Sequence, residues 1–320
     1  MRGRLQYTGS MEKALAHTSA SAQQTRPLRG YLLALLAGVT WAGSGLISEW
    51  IGADPMVLTG ARTLASALLI GLGLLLFNRR GFKAERTARS WGFLLLYGLI
   101  AMAANQYLYF ASIHANGAGL GTLLKYSSPV FLLAIGALFL HRRITLLMVA
   151  GAAVALIGLA LAVGAFSGHR LTLTSAGLAW GLSSGLFFSL HTLFGEVGNR
   201  RFEAFTLLFY GMLIAALFWL AALGPARVIA PFLHVKPFLQ LMLLASVSTV
   251  LPFGAYLVAL KYIDSVHASI AAMVEAVAAG VGGALFFGEP LTVSLIFGGI
   301  ISLGAIVVMR LSDVHEARST

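Results

Sequence analysis

The sequence predicts an all-α polytopic membrane protein: ten transmembrane helices arranged as two inverted five-helix repeats. Three observations carry that prediction. First, the 320 residues are 58% hydrophobic and only 10% charged, where a soluble domain carries about 25% charged residues. Second, apolar runs near the roughly 20 residues needed to span a hydrocarbon core follow one another almost without pause. Third, short motifs recur at offsets of 139 and 147 residues.

The chain opens with a polar, basic, Ser/Thr/Ala-rich stretch, residues 1–30, expected to be a disordered cytoplasmic tail. Spans 1 to 5 are then expected at 31–51, 57–77, 91–113, 118–140 and 144–166, and together form a first repeat, 31–166. Spans 6 to 10 are expected at 174–195, 203–223, 238–260, 266–287 and 291–310, within a second repeat, 174–310; residues 311–320 form a second cytoplasmic tail. The net charge of +11 reads as topology rather than as a nucleic-acid signal. With both termini in the cytoplasm, 17 of the 22 Lys and Arg fall on that side, and Arg170, Arg227 and Lys236 alone lie opposite. That is the bias of the positive-inside rule, and it is the pattern of a bacterial inner-membrane protein.

The repeats explain the order of the spans. "GVTWAGSG" (38–45) is echoed by "GLAWGLSSG" (177–185), pairing Gly38, Trp41 and Ser44 with Gly177, Trp180 and Ser183. "GALFLHRRIT" (136–145) returns as "GALFFGEPLT" (283–292). Five crossings per repeat is odd, so the second copy is inverted, a construction used by secondary transporters with a site near the midplane between the halves. These motifs resemble the drug/metabolite transporter superfamily, specifically its ten-helix group with two EamA-type repeats. The resemblance rests on the Gly-x-x-Trp-small-x-Ser helix start, the turn Glu289-Pro290-Leu291-Thr292, the stretch 248–265 and Glu275. It implies a carrier of small metabolites and a structural role for Glu289. The first-repeat turn departs from the pattern: it reads His141-Arg142-Arg143-Ile144-Thr145, without the carboxylate.

Ionisable groups inside spans cost at least about 2.5–3.5 kcal/mol each at the centre, so each demands a reason. Lys125 lies about 10 Å into span 4 and Glu275 about 13 Å into span 9, at 1.5 Å per residue. Both are near the midplane on repeat-equivalent spans. They are expected to bind substrate, or simply to pair and close the halves; Glu275 is also the first candidate for proton coupling. Arg62 lies about 7.5 Å from the outer face by the same rise, placed to snorkel or to brace Asp54, and is read as structural. Glu49 and Glu196 read as rim residues. Trp180, Ser184, Phe187 and His191 fall on one face of span 6, and His191 is the second coupling candidate. Asn105, Tyr109 and Ser112 share a face of span 3; Ser246, Thr249 and Tyr256 share one of span 8; Trp41, Ser44 and Ser48 share one of span 1. Lining a cavity and hydrogen-bonding neighbouring helices are equal readings for these polar groups. Pro129 and Pro252 are expected to kink spans 4 and 8.

No cysteine, no GxxxxGK[ST] loop, no HExxH and no Gly-x-Ser-x-Gly elbow occurs, so neither nucleotide-driven pumping nor familiar hydrolytic chemistry is indicated. The expectation is no enzyme, no cofactor, no metal and no nucleic-acid partner. The partners expected are a small-molecule substrate, the lipid bilayer and a coupling proton, for a monomer or homodimer. An amino-acid or related metabolite exporter working by alternating access is the leading reading. An organic-anion or sugar-phosphate carrier using Lys125 with Arg62 is its rival, and a channel or intramembrane enzyme stand as alternatives from other classes.

Overall fold

A computed structural model describes residues 2–82, 87–142, 144–162, 174–288 and 292–305. Each of the ten expected spans is helical over most of its described residues. Seven are long and apolar enough to cross a membrane: α1 (Pro27–Ile51), α2 (Pro55–Phe77), α3 (Ala88–Gly117), α4 (Gly119–Leu138), α7 (Ala204–Leu223), α8 (Val235–Ala259) and α9 (Ser265–Phe286). Two are shorter, α5 (Leu146–Ala162) and α10 (Val293–Ala305). The remaining one, α6 (Ser175–Gly198), is long but less apolar, carrying Ser, Thr, His191 and Glu196 among its glycines. The polar segment before Pro27, expected to be a tail, continues α1 as helix from Arg2; its Ala, Gln and Lys are good helix formers. Glu289, in the second-repeat turn, lies outside the described residues.

Local chemistry sets the boundaries. Asp54 caps α2, accepting from the Met56 and Val57 amides at 3.0 and 3.1 Å, with Pro55 in the first turn, the combination favoured at helix starts. That duty removes Asp54 as a brace for Arg62. Thr174 caps α6 through the Gly177 amide. Gly117 adopts φ 77° between α3 and α4, a conformation costly for any residue with a Cβ.

The packing is two-fold in pattern. α1 packs on α8 and α9 as α6 packs on α3 and α4, while α2 packs on α7. α5 meets α10 at Gly158 and Gly298; a Cβ on Gly158 would stand 2.6 Å from the Ser302 amide nitrogen and 2.8 Å from the Gly298 carbonyl. Small residues permit such backbone approach between helices in a bilayer. The first, second and fifth helices of one repeat thus meet equivalent partners in the other.

Two irregularities repeat as well. α3 and α8 each contain a π-helical stretch, Tyr97–Ala104 and Ser246–Val250. α4 and α9 are each broken: α4 at Tyr126–Ser127, between segments ending at Lys125 and starting at Ser128, and α9 at Met273, between Ser265–Ala272 and Val274–Phe287. The breaks stand 147 residues apart, at Tyr126 and Met273. Pro129 therefore does not bend a continuous helix; it opens a new one, in its first turn. Pro252 likewise follows the π-helical stretch at the start of a regular segment, where a missing N–H is tolerated.

Candidate functional site

The two helix breaks place opposite charges face to face. Lys125 ends its half-helix and Glu275 falls in the first turn of its own, each at the terminus whose partial charge favours it. The Lys125 ammonium donates to both Glu275 oxygens, at 2.7 Å to Oε1 and 2.6 Å to Oε2. Both side chains are buried, at 5% and 1% exposure. Tyr109 donates to Oε1 at 2.9 Å, and Tyr126 to Oε2. Tyr126 also reaches the Ala272 carbonyl at 2.7 Å, an acceptor released where the α9 helix breaks. Four rings surround the ammonium: Tyr109 at 4.2 Å, Tyr126 at 4.8 Å, Phe188 at 5.3 Å and Trp41 at 5.7 Å, each within cation–π range. The Glu275 charge is thus satisfied by three donors, and that of Lys125 by one carboxylate and an aromatic box.

Arg62 forms a second centre. It is 1% exposed and does not snorkel, because α1, α8 and α3 cover it. Its Nε donates to Thr249 Oγ1, and its Nη2 donates to the Ser248 carbonyl at 2.8 Å and to Ser44 Oγ at 3.2 Å. Ser44 also donates to the Ser248 carbonyl, at 2.9 Å. That carbonyl belongs to the π-helical stretch of α8, the kind of local bulge found frequently at functional sites. The Phe110 ring lies 5.0 Å from the guanidinium. No carboxylate stands within 4.0 Å of Arg62 among the described residues.

Other expected residues divide. Tyr256 and His191 are fully buried; their rings stack 6.0 Å apart, and Phe253, Phe188 and Tyr97 complete a cage around the imidazole. Among the described residues neither His191 nitrogen has a hydrogen-bond partner, nor do Asn105 Oδ1 and Ser184 Oγ. Trp180 and Ser246 depart from expectation. Trp180 is 37% exposed, and Ser246 bonds the Met242 carbonyl of its own helix on an exposed face. The inward stripe of α6 is Gly177, Gly181, Ser184, Phe188 and His191, so Phe188, not Phe187, faces the site. Gly177 packs against Asn116 of α3, and Gly181 and Gly185 pack against Leu124 and Ser127 of α4, leaving Trp180 outside. The matched motif residues Trp41 and Trp180 therefore occupy different environments.

Ion pairing closes the bundle at its basic end. Arg142 grips Glu196 with two bonds of 3.0 and 2.8 Å and reaches Ser265 at 3.2 Å, and Arg200 adds a contact at 3.8 Å. Glu196 is thus an inter-repeat partner rather than a rim residue. The first-repeat turn, lacking its carboxylate, supplies the cation instead. The bond to Glu196 outweighs partial burial and holds the Arg142 guanidinium above its ordinary pKa. At the opposite end a cleft of about 300 Å³ is lined by Ser48, Glu49, Leu58, Phe110 and His114 among others. Tyr126, Thr122 and Ser248 were missed from sequence, although "KYSSP" at 125–129 carries a helix-break signal.

A family model for EamA-like transporters matches the chain twice, over residues 28–164 and 175–311. An uncharacterized inner membrane transporter of Salmonella typhimurium, YicL, is 23% identical over 300 residues, covering 91% of this chain and 98% of that one. An uncharacterized transporter of Archaeoglobus fulgidus is 26% identical over 217 residues, covering 66% and 75%. One crystal structure shares the fold at a TM-score of 0.71 and 17% identity, over 88% of this chain and 96% of that one. With both halves of its length matched and its helices packed in two equivalent sets, this chain belongs to the EamA-like transporter family, as an integral membrane transporter and not an enzyme.

Proposed function

We propose that this protein is a secondary-active carrier of a small metabolite, working by alternating access, with the Lys125–Glu275 pair as its central site. The observation that carries the reading is a desolvated ion pair between helix breaks in different repeats. Any motion of one repeat against the other must remodel it. A substrate bearing both an ammonium and a carboxylate supplies replacement partners for both charges, so an amino acid or related metabolite is the leading cargo, exported across a bacterial inner membrane. Trp41, Tyr109, Tyr256 and Ser184 border the site, with Asn105, His191, Ser44 and Thr249 around them; Trp180 and Ser246 are dropped from it. Glu275 is the proposed coupling group, since protonation would release Lys125 and both tyrosines together. The Arg142–Glu196 contact serves as the cytoplasmic closure, with both termini on that side.

The test is counterflow in proteoliposomes loaded with unlabelled amino acids. Saturable accumulation of labelled amino acid, lost in Lys125→Ala, is expected. Flux that never saturates would indicate a channel, and no exchange of any amino acid would overturn the cargo.

A further inference from the structure

Among the buried charged side chains, Lys125 and Glu275 cancel, leaving Arg62 as a net positive charge. Its bonds go to neutral oxygens of Thr249, Ser44 and Ser248. A buried cation with no carboxylate within 4.0 Å among the described residues is an expensive arrangement, and the N–H groups a guanidinium has left over can donate to an anionic oxygen. The three bonds engage Nε and Nη2 and leave Nη1 without a partner among the described residues. Ser248 Oγ is fully buried, packs against Gly43 of α1 and has no hydrogen-bond partner among the described residues.

The cleft at the less basic end approaches this point, although Arg62 itself does not line it. Three of its lining residues are tied to Arg62: Leu58 is one helical turn away on α2, Ser48 one turn from Ser44 on α1, and Phe110 lies against the guanidinium, a turn being about 5.4 Å. Glu49 and His114 line the cleft further out.

Resting on the reading of this chain as a metabolite carrier, we propose that Arg62 is an anion subsite that recognises the carboxylate or phosphate of the cargo, entered from the cleft at Ser48 and Phe110. Ser44, Thr249 and the Ser248 carbonyl hold the guanidinium in place, leaving Nη1 to meet the anion. The cargo must then carry an anionic oxygen group, whatever the rest of its structure.

The experiment compares matched pairs on the purified full-length protein by equilibrium binding: leucine with leucinamide, lactate with lactamide, and glucose 6-phosphate with glucose. At least one acid is expected to bind at least about tenfold more tightly than its neutral partner, the ratio of a charge-assisted bond to a lost one. The carboxylate and phosphate arms identify which anion is read. Arg62→Gln should reduce that preference to about twofold or less, with Arg62→Lys retaining part of it. Equal affinity for acid and neutral partner in every pair, no binding of any acid, or full preference in Arg62→Gln would overturn the subsite. If Arg62→Gln does not fold, Arg62→Lys decides, because Lys125 could also favour acids in the wild type: an acid preference in Arg62→Lys as large as the wild type's would overturn the subsite. Acid preference without counterflow would refute the carrier and spare the subsite. Counterflow without acid preference would do the reverse.

Discussion

Removing the Glu275 charge is the most informative perturbation of the centre. Glu275→Gln preserves shape but strips Lys125, 4% exposed, of the one carboxylate that pairs with it among the described residues, and weakens the bonds from Tyr109 and Tyr126. Leaving one member of a buried pair uncompensated costs about 3–5 kcal/mol. Lys125→Met strands Glu275 with its two tyrosine donors alone, at a similar cost. Replacing both members at once is often close to neutral, so the double variant should lose about 2 kcal/mol or less. The coupling between the sites is then at least about 4 kcal/mol. Denaturant unfolding in detergent micelles, followed by tryptophan fluorescence, measures all four corners of the cycle. Effects that add to within about 0.5 kcal/mol, as independent sites do, would show that the two charges do not depend on each other.

Further outcomes follow from other contacts. Gly158→Ala places a Cβ 2.6 Å from the Ser302 amide nitrogen, and backbone cannot yield there; overpacking of about 1–3 kcal/mol should lower the melting temperature, whereas Gly73→Ala, with open space around it, should not. Arg142→Ala should change stability by about 1 kcal/mol or less, since its side chain is 31% exposed, yet should raise the labelling rate of a Ser265→Cys reporter in this cysteine-free chain. Asp264 caps the start of α9 and contacts His267. Burial pushes its carboxyl up, but the His267 ring and the Val266 and His267 amides outweigh burial and hold it below the usual range. Its contribution is therefore present above about pH 4 and lost as pH falls through the depressed value, and Asp264→Ala should flatten the acid limb of the stability profile. A reporter fused after residue 85 should read cytoplasmic and one inserted at Gly288 external; the same side for both would break the inverted topology.

The architecture was legible because its signals are compositional. Ten apolar runs and two echoed motifs survive any detail of packing, and the lysine and glutamate stood out because charge is costly within spans. What composition does not encode is helix rotation. Trp180 carries the same motif position as Trp41, yet three glycines pack α6 against α3 and α4, and Phe188 faces inward. Arg62 was placed by distance from the membrane face alone, which ignores the π-helical bulge of α8 that buries and binds it. Tyr126 was passed over because its role depends on a break shared by α4 and α9, and only the paired geometry shows that its hydroxyl meets Glu275. The Arg142–Glu196 bridge was hidden because each partner was read as a loop or rim residue of its own repeat.

The role of the central pair is decided by exchanging its charges. In Lys125→Glu/Glu275→Lys the ion pair can re-form, but each charge then sits at the helix terminus that disfavours it and meets the substrate with the wrong sign. Counterflow of amino acids in proteoliposomes, normalised to the amount of folded protein reconstituted, should be abolished. Transport at the wild-type rate in the swapped protein would mean that the pair only joins the repeats and takes no part in handling the cargo.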